Sequence, residues 1–377
     1  MSKLDRHHCA VSGAMDLEHL YTFKDFPVFM GCVERPEIED LKADMTWCIS
    51  RGSGLIQLKN LIPLNILYSE SHGAGAIGPL WDEHHKLFAK FLNHKPPSSV
   101  LEIGGGHGRL QREYQLFDSI PWTILEPNPS PVEGCNATFI SGFFDEKFSL
   151  DSEIDTIVHS HLFEHIYEPN KFMKHLSDFM KEEQQLIFSL PNMRVMLEKK
   201  YNNCINFEHT LLLSEAYVDH LLAKYGFRLD AKEYFKSDHS IFYRAIRDKR
   251  VSPTPLDQNL YVKNKNLFET YINYHRELTI DINSKISNKN GHVYLFGAHV
   301  FAQYLIAFGL NPRLLTCILD NDKNKHGKRL SGTDLVVSSP EILRNINNPT
   351  VILRAGSYNN EIKSQIVKDI NSGAVFI

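Results

Sequence analysis

The chain has 377 residues, of which 42% are hydrophobic and 23% charged, a balance that excludes wholesale disorder. Its 41 basic and 45 acidic side chains give a formal net charge of −4, which provides no electrostatic footprint for a nucleic-acid polymer or an anionic membrane. No run of about 18 apolar residues occurs, so we predict no membrane span. The polar N-terminus lacks an apolar signal core and the six cysteines are scattered, which predicts a cytoplasmic protein with free thiols.

The first predicted module covers residues 1–95. Residues 1–78 show only short apolar pieces and are predicted to be irregular, with a glycine-rich loop at residues 71–78. Residues 79–92 predict a helix, because apolar side chains recur at helical spacing after a proline that suits the first turn. The apolar face of this helix carries Leu80, Leu87, Phe88, Phe91 and Leu92. We expect His84 on this helix to be half-buried and His85 to be exposed.

Strand and helix signals alternate from residue 99 to about residue 247, as in a parallel sheet covered by helices. Strands are predicted at residues 100–103, 122–125, 156–158, 186–190, 227–234 and 240–245, with a helix over residues 170–181. The predicted fold class is therefore α/β, with a Rossmann-like core over residues 96–250.

The remaining chain predicts a linker and a second α/β unit. Two prolines, Pro253 and Pro255, open the linker of residues 251–285, whose second half is predicted to be helical from residue 260 to residue 286. The predicted C-terminal domain, residues 286–377, contains strands at residues 292–296, 314–319 and 350–353 and a helix at residues 300–308.

The most informative segment, residues 101–110, has the sequence Leu-Glu-Ile-Gly-Gly-Gly-His-Gly-Arg-Leu directly after a predicted strand. A dinucleotide-binding fingerprint requires a glycine where Arg109 stands, so an NAD site is disfavoured. The spacing E-x-G-x-G-x-G from Glu102 to Gly108 resembles motif I of class I S-adenosylmethionine (SAM) methyltransferases. Glu126 ends the second strand, where a carboxylate can accept hydrogen bonds from both ribose hydroxyls. The alternative is a glycine-rich turn that binds no ligand.

The predicted cofactor is therefore SAM, held at the carboxyl edge of the sheet. We expect the glycine loop, Glu126 and residues that follow the second, third and fourth strands to contact SAM. The predicted cofactor-binding residues are Glu102, Gly104, Gly105, Gly106, Gly108, Glu126, Pro127, Gly142, Phe143, Ser160 and His161.

Nearly the whole chain resembles the sugar C-methyltransferase family, which joins an N-terminal zinc module, a SAM-binding core and a C-terminal α/β domain. The segments that carry this resemblance are residues 53–58, 102–108, 297–298, 320–327, 331–333 and 354–362. The resemblance implies a SAM-dependent methyltransferase that acts on a nucleotide-linked 4-keto-deoxysugar, methylates a carbon next to the ketone, and serves carbohydrate biosynthesis.

The chain departs from this family at the zinc ligands. Where the family has C-x-x-C and a later C-x-x-C-G, this chain has Cys9, Ser12, Ser50 and Ser53. Serine is a poor zinc ligand, so zinc is doubtful, and Cys9 is the only family ligand that remains. One alternative is a rebuilt site that draws on Cys9, Cys32, Cys48 and His7 or His8. The other is a module that folds without metal around Phe26, Phe29 and Leu55.

The same resemblance implies the catalytic residues. The family's histidine after the fourth strand matches His165, and its Y-x-E-H segment matches residues 206–209, where Asn206 replaces the tyrosine. We predict His209 as the base that removes the α-proton, with Glu208 orienting it and His165 near the acceptor.

Two further residues match the family less directly. Tyr68 matches an active-site tyrosine and His239 a further histidine, although each could also be structural. His165 could only shape the pocket. Residues 71–75 could close over the methionine end of SAM or form a plain surface loop.

The chemistry of the acceptor stays open at this point. Asn206 cannot act as an acid or base, which weakens the case for C-methylation. A histidine base suits O-methylation of a polysaccharide precursor or related small molecule equally well. A non-catalytic SAM-binding protein is a further alternative. The sequence predicts a small-molecule partner and leaves the oligomeric state undetermined.

Overall fold

The computed structural model describes residues 4–68, 78–287, 289 and 292–377. The predicted glycine-rich loop therefore lies, apart from Gly78, outside the described residues, as does the suggested closure by residues 71–75. Two compact units are distinguished: residues 1–19, 48–199 and 208–265 form the first, and residues 20–47, 200–207 and 266–377 form the second. The domain boundaries predicted from the sequence stay a prediction.

The N-terminal region contains two long strands, so the expectation of an irregular segment was wrong. Its elements are β1 (Leu4–Asp5), β2 (Leu17–Pro27), β3 (Cys32–Val33), β4 (Lys42–Ser50), β5 (Ile56–Leu58), β6 (Asn60–Leu61) and α1 (Leu64–Leu67). Strands β2, β4 and β5 form a three-stranded sheet. Strand β4 buries Met45 and then every residue from Trp47 to Ser50, so the second half of this strand is covered on both faces. The charged residues Lys42 and Asp44 in its first half obscured this strand in the sequence.

The core is a seven-stranded sheet. Its elements are α2 (Pro79–Asn93), β7 (Val100–Ile103), α3 (Arg109–Tyr114), β8 (Trp122–Glu126), β9 (Thr138–Ser141), β10 (Thr156–Ser160), α4 (Pro169–Phe179), β11 (Gln185–Pro191), α5 (Met193–Glu198), α6 (Glu215–Lys224), β12 (Phe227–Phe235), α7 (Lys236–His239) and β13 (Ser240–Arg247). The strand order is β12-β13-β11-β10-β7-β8-β9, and β13 alone runs antiparallel to the other six strands. The predicted core strands are confirmed to within about two residues.

Both faces of this sheet are covered. Leu101 and Ile103 of β7 belong to one apolar cluster, whereas Val100 belongs to a second cluster with Val158 and Ile187. Consecutive residues of a strand point to opposite faces, so β7 supplies both cores. The central position of β7 places the end of this strand, and the loop that follows it, at the carboxyl edge where doubly wound sheets bind ligands.

The predicted helix after the glycine-rich loop is confirmed, but its buried face differs from the prediction. Leu80 and Leu87 are 41% and 42% exposed, whereas His84 is fully buried and His85 partly buried. The His84 ring lies 5.2 Å from the Phe242 ring, measured between centroids, so an aromatic environment covers the position that we expected to be half-exposed. The buried residues of α2 are His84, Phe88, Ala89, Phe91 and Leu92.

The C-terminal part contains a smaller parallel sheet. Its elements are α8 (Leu260–Ser287), β14 (Val293–Phe296), α9 (Val300–Ala307), β15 (Cys317–Leu319), β16 (Arg329–Leu330), β17 (Val337–Ser338), β18 (Thr350–Leu353), α10 (Asn359–Gln365) and β19 (Val375–Phe376). Five strands pair in the order β17-β15-β14-β18-β19, all parallel. The predicted strand at residues 314–319 is shorter than expected, because Pro312–Leu314 forms a 3-10 turn. Among the described helices, none has the length and apolar character that crossing a membrane requires.

Candidate active site

The glycine loop that follows β7 adopts a backbone that other residues rarely take. Gly104, Gly106 and Gly108 have φ angles of +70°, +53° and +71°, which glycine tolerates because it has no β carbon. A β carbon on Gly105 would lie 2.7 Å from Cδ of Glu102. The loop therefore runs directly over the Glu102 side chain. At Gly106 an added β carbon would meet no atom of the described residues within 4 Å, so the loop borders open space there.

Two carboxylates support this loop. Glu102 is buried and accepts a hydrogen bond from Nε1 of Trp122 at 2.8 Å. Burial raises the pKa of Glu102 to about 7, because a carboxylate loses hydration in the interior. Glu126 accepts hydrogen bonds from the backbone N–H of Gly106 and of Asn128, both at 3.1 Å. The structure thus brings the acid at the end of β8 against the glycine loop.

The predicted residues after β8 and β9 gather around Glu126. The N–H of Gly142 donates to the carbonyl oxygen of Glu126 at 3.3 Å, and Oγ of Ser141 donates to the carbonyl oxygen of Pro127 at 3.1 Å. The Phe143 ring is 59% exposed. A carboxylate, an exposed aromatic residue and a loop with four glycines fit the ribose, adenine and methionine parts of SAM.

The predicted catalytic residues Tyr68, His165, Glu208 and His209 lie close together in the first unit. Nδ1 of His165 is 3.2 Å from Oη of Tyr68 and 3.7 Å from Oε2 of Glu208. The rings of His165 and His209 are 5.0 Å apart between centroids, with an interplanar angle of 79°. The N–H of Thr210 donates to the carbonyl oxygen of Glu164 at 3.2 Å, which holds this loop beside the 3-10 turn Phe163–His165.

Burial controls the protonation of His165 and Tyr68. It lowers the pKa of His165 to about 4 and raises the pKa of Tyr68 well above its ordinary value. His165 is therefore a neutral imidazole at neutral pH, and Tyr68 is a neutral phenol. Both can donate or accept hydrogen bonds without carrying charge.

A second chain of polar contacts runs from the end of β10 to β13. Nε2 of His161 lies 2.9 Å from Oγ of Ser240, and Nδ1 of His239 lies 2.6 Å from the same oxygen. His161 has a φ of +49°, an uncommon backbone for a residue with a β carbon. Burial lowers the pKa of His161 to about 3 and that of His239 to about 4, so both are neutral. Oγ of Ser160 lies 2.7 Å from Oγ of Ser189.

The structure differs from the predicted catalytic set at two residues. Asn206 belongs to the second unit, where it is buried and its amide donates to the carbonyl oxygen of Asn203 at 3.3 Å. Glu164 was missed: its side chain is completely buried, with Oε1 3.3 Å from Nδ1 of His161 and 3.8 Å from Nε2 of His165. The sequence signal was an acid next to His165 after the fourth core strand.

The four positions of the family's zinc ligands lie together in the first unit. Sγ of Cys9 is 3.1 Å from Oγ of Ser53 and accepts a hydrogen bond from the N–H of Ser12 at 3.4 Å. The N–H of Ser53 donates to Oγ of Ser50 at 3.2 Å. One thiol and three hydroxyls do not fit a zinc ion, which requires thiolate, imidazole or carboxylate ligands. Hydrogen bonds join these positions instead.

Comparison with family models supplies the activity. A methyltransferase domain matches residues 76–232, and a C-methyltransferase C-terminal domain matches residues 259–377. The chain is a SAM-dependent methyltransferase. Its core has the class I SAM methyltransferase fold, as the sequence predicted. No curated protein matches the methyltransferase in a sequence search.

Solved structures resemble the methyltransferase distantly. Magnesium protoporphyrin IX methyltransferase (ChlM) from Synechocystis PCC 6803 is 15% identical over 48% of this chain and 93% of that one, with a TM-score of 0.36. The mitomycin 7-O-methyltransferase MmcR is 16% identical over 48% of this chain and 62% of that one, with a TM-score of 0.40. PH0226 from Pyrococcus horikoshii OT3 is 16% identical over 46% of this chain and 94% of that one, with a TM-score of 0.39. Similarity at this level says nothing about the substrate.

Proposed function

We propose that this methyltransferase methylates the carbon next to the ketone of a nucleotide-linked sugar. The observation that carries the proposal is the C-methyltransferase C-terminal domain, present in the same chain as the Tyr68–His165–Glu208–His209 group. The resemblance noted in the sequence supports the sugar acceptor and a role in carbohydrate biosynthesis. The six scattered cysteines support a cytoplasmic location.

Removal of the α-proton is the step that the protein must catalyse. A ring nitrogen of His209 takes the proton from the carbon next to the ketone, and the electron pair of the broken C–H bond passes into an enolate. When bound, SAM supplies an electrophilic methyl group on its sulfonium. The enolate carbon forms the new C–C bond to this methyl group while the S–CH3 bond breaks, so that S-adenosylhomocysteine would be the leaving group and would keep the electron pair on sulfur. His209 then returns its proton to solvent.

The developing charge on the enolate oxygen needs hydrogen-bond donors. Tyr68 is suited to this role, because burial keeps its phenol neutral and able to donate. His165 lies 3.2 Å from the phenol oxygen through Nδ1 and is itself neutral, so it can orient Tyr68 without competing for the proton. Glu208, whose Oε2 lies 3.7 Å from the same nitrogen, places a carboxylate within this group, and a carboxylate there favours positive charge on the rings around it.

Deuterium exchange tests this proposal directly. The protein is incubated in deuterated water with S-adenosylhomocysteine, which has no methyl group to transfer, and with a panel of nucleotide-linked 4-keto-deoxysugars. We expect deuterium at the α-carbon, detected by NMR, and a loss of about 100-fold or more in the exchange rate for His209→Ala. The matched control, His220→Ala on α6, should exchange at the wild-type rate. A parallel assay replaces S-adenosylhomocysteine by SAM. A sugar that is methylated there but shows no exchange at its α-carbon would exclude the enolate mechanism.

O-methylation of a hydroxyl is the second candidate, and Asn206 favours it. This residue stands where the C-methylating family has a tyrosine, and an amide cannot share in proton transfer. The position of the new methyl group in the product, read from carbon NMR shifts, separates the two candidates. A methyl bonded to oxygen would establish the second.

A further inference from the structure

The buried acid beside the proposed base belongs to a group of three side chains with metal-ligating atoms. Within the part of the chain that the structure describes, Glu164, His165 and His209 form the only such group, and one ligand atom from each lies within 4.8 Å of the other two. Two imidazoles and one carboxylate are the ligands that catalytic zinc sites commonly use. Tetrahedral ligands at the usual distances from zinc lie about 3.4 Å apart, so modest side-chain rotation closes the set.

Glu164 is the residue that makes this group unusual. Its side chain has no exposed surface, and neither carboxylate oxygen has a hydrogen-bond partner among the residues that the structure describes. Its contacts are nitrogens of His161 at 3.3 Å and of His165 at 3.8 Å. Buried carboxylates are normally hydrogen-bonded or bound to a cation. The Glu164 carboxylate therefore has the free ligand atoms that a bound cation requires.

The surroundings of His165 orient it as a ligand. Its Nδ1 faces Oη of Tyr68 and a carboxylate oxygen of Glu208, which leaves Nε2 on the side of Glu164. Metal-binding histidines commonly place a carboxylate or another polar group on the nitrogen that does not bind the ion, because this fixes the ring orientation. His165 and His209 are only half-buried, so the group opens on one side, where a water molecule could complete the coordination.

We propose that Glu164, His165 and His209 bind a divalent transition-metal ion such as Zn²⁺. The carboxylate and two imidazole nitrogens supply three ligands and leave one position open. This site is distinct from the four N-terminal positions around Cys9, which do not fit zinc.

Metal binding has a consequence for catalysis that rests on the proposed function. A ring nitrogen of His209 that donates its lone pair to a metal cannot accept the α-proton at the same time. The metal-bound form and the form that abstracts the proton therefore exclude each other. Zinc would act as a reversible inhibitor at the site of the base.

Cobalt spectroscopy tests the binding itself. Metal-free protein is titrated with Co²⁺, and we expect one ion per chain with the intense d–d absorption of four- or five-coordinate cobalt and no thiolate charge-transfer band, followed by displacement with Zn²⁺. Glu164→Gln, which keeps the shape of the side chain, and His209→Ala should each weaken binding about 100-fold or more. His220→Ala should bind as the wild type does. Circular dichroism verifies that each variant is folded. Equal cobalt affinity in wild type and Glu164→Gln would overturn the proposal.

The inhibitory consequence is measured separately, by adding Zn²⁺ to the deuterium-exchange assay. We expect exchange to stop at zinc concentrations that displace cobalt and to return when EDTA is added. Unchanged exchange with the site full of zinc would overturn the inhibition. If the metal-free protein shows no exchange at all, the proposed function fails while the cobalt result still decides whether the metal site exists.

Discussion

Replacing Glu102 by Gln should change how the stability of the protein depends on pH. The carboxyl lies buried beneath the glycine loop, and burial raises its pKa from an ordinary value near 4.5 to about 7. In the unfolded chain the same group titrates near its ordinary value. As pH rises between these two values, the unfolded state releases its proton before the folded state does. The free energy of unfolding therefore falls as pH rises through this window.

The size of the effect follows from the pKa difference. Each pKa unit corresponds to about 1.4 kcal/mol, so the rise from near 4.5 to about 7 corresponds to about 3 kcal/mol of stability lost between about pH 4.5 and about pH 8. The Gln side chain stays neutral throughout and can still accept the hydrogen bond from Trp122. Glu102→Gln should therefore match the wild type near pH 4.5 and exceed its stability by about 3 kcal/mol near pH 8.

Urea unfolding, followed by tryptophan fluorescence at a series of pH values without cofactor, measures this difference. Glu133→Gln, which alters an exposed acid in the same unit, is the matched control and should leave the pH dependence unchanged. A stability difference between Glu102→Gln and wild type that stays constant across the pH range would refute the reasoning, because it would mean that the buried carboxyl titrates as it does in the unfolded chain.

Two further predictions concern the loop and the N-terminal module. Gly105→Ala should weaken binding of S-adenosylhomocysteine about tenfold, because the added β carbon would overlap the Glu102 side chain. Calorimetry measures the affinity, and an unchanged affinity would contradict the close approach of the loop to Glu102. Cysteines in place of Ser12, Ser50 and Ser53 should create a zinc site together with Cys9, since hydrogen bonds already join these positions. Metal analysis after gel filtration should find one more zinc per chain in the triple variant than in the wild type, and a triple variant with no additional zinc would refute this.

The sequence predicted those parts of the fold and site that depend on local chemistry. The loop from Glu102 to Gly108 has a backbone that requires glycine, and this requirement is visible as a spacing. The core strands appeared as short apolar runs, because both faces of the sheet are covered and each strand is buried on both sides.

The features that the sequence missed depend on contacts between distant segments. His84 shares a helix with apolar residues, and only the aromatic rings of other elements, such as Phe242, determine that it is buried. Strand β4 mixes charged and apolar residues, so its strand character depends on the sheet that it joins. Glu164 looks like an ordinary acid, because nothing near it in sequence reveals that its carboxylate is fully buried.

The position of β7 also bears on how the protein folds. Val100 pairs on one side with Trp122 and on the other with Thr156, so this strand gains its second neighbour only when a long stretch of chain has closed. Parallel pairing across such separations is slow, because the entropy of closing the intervening chain is lost before the contacts form. The glycine loop begins where β7 ends and takes its shape from both neighbours. We therefore expect cofactor affinity to appear late during refolding, after most of the helical signal, which makes it a sensitive probe of the last folding step.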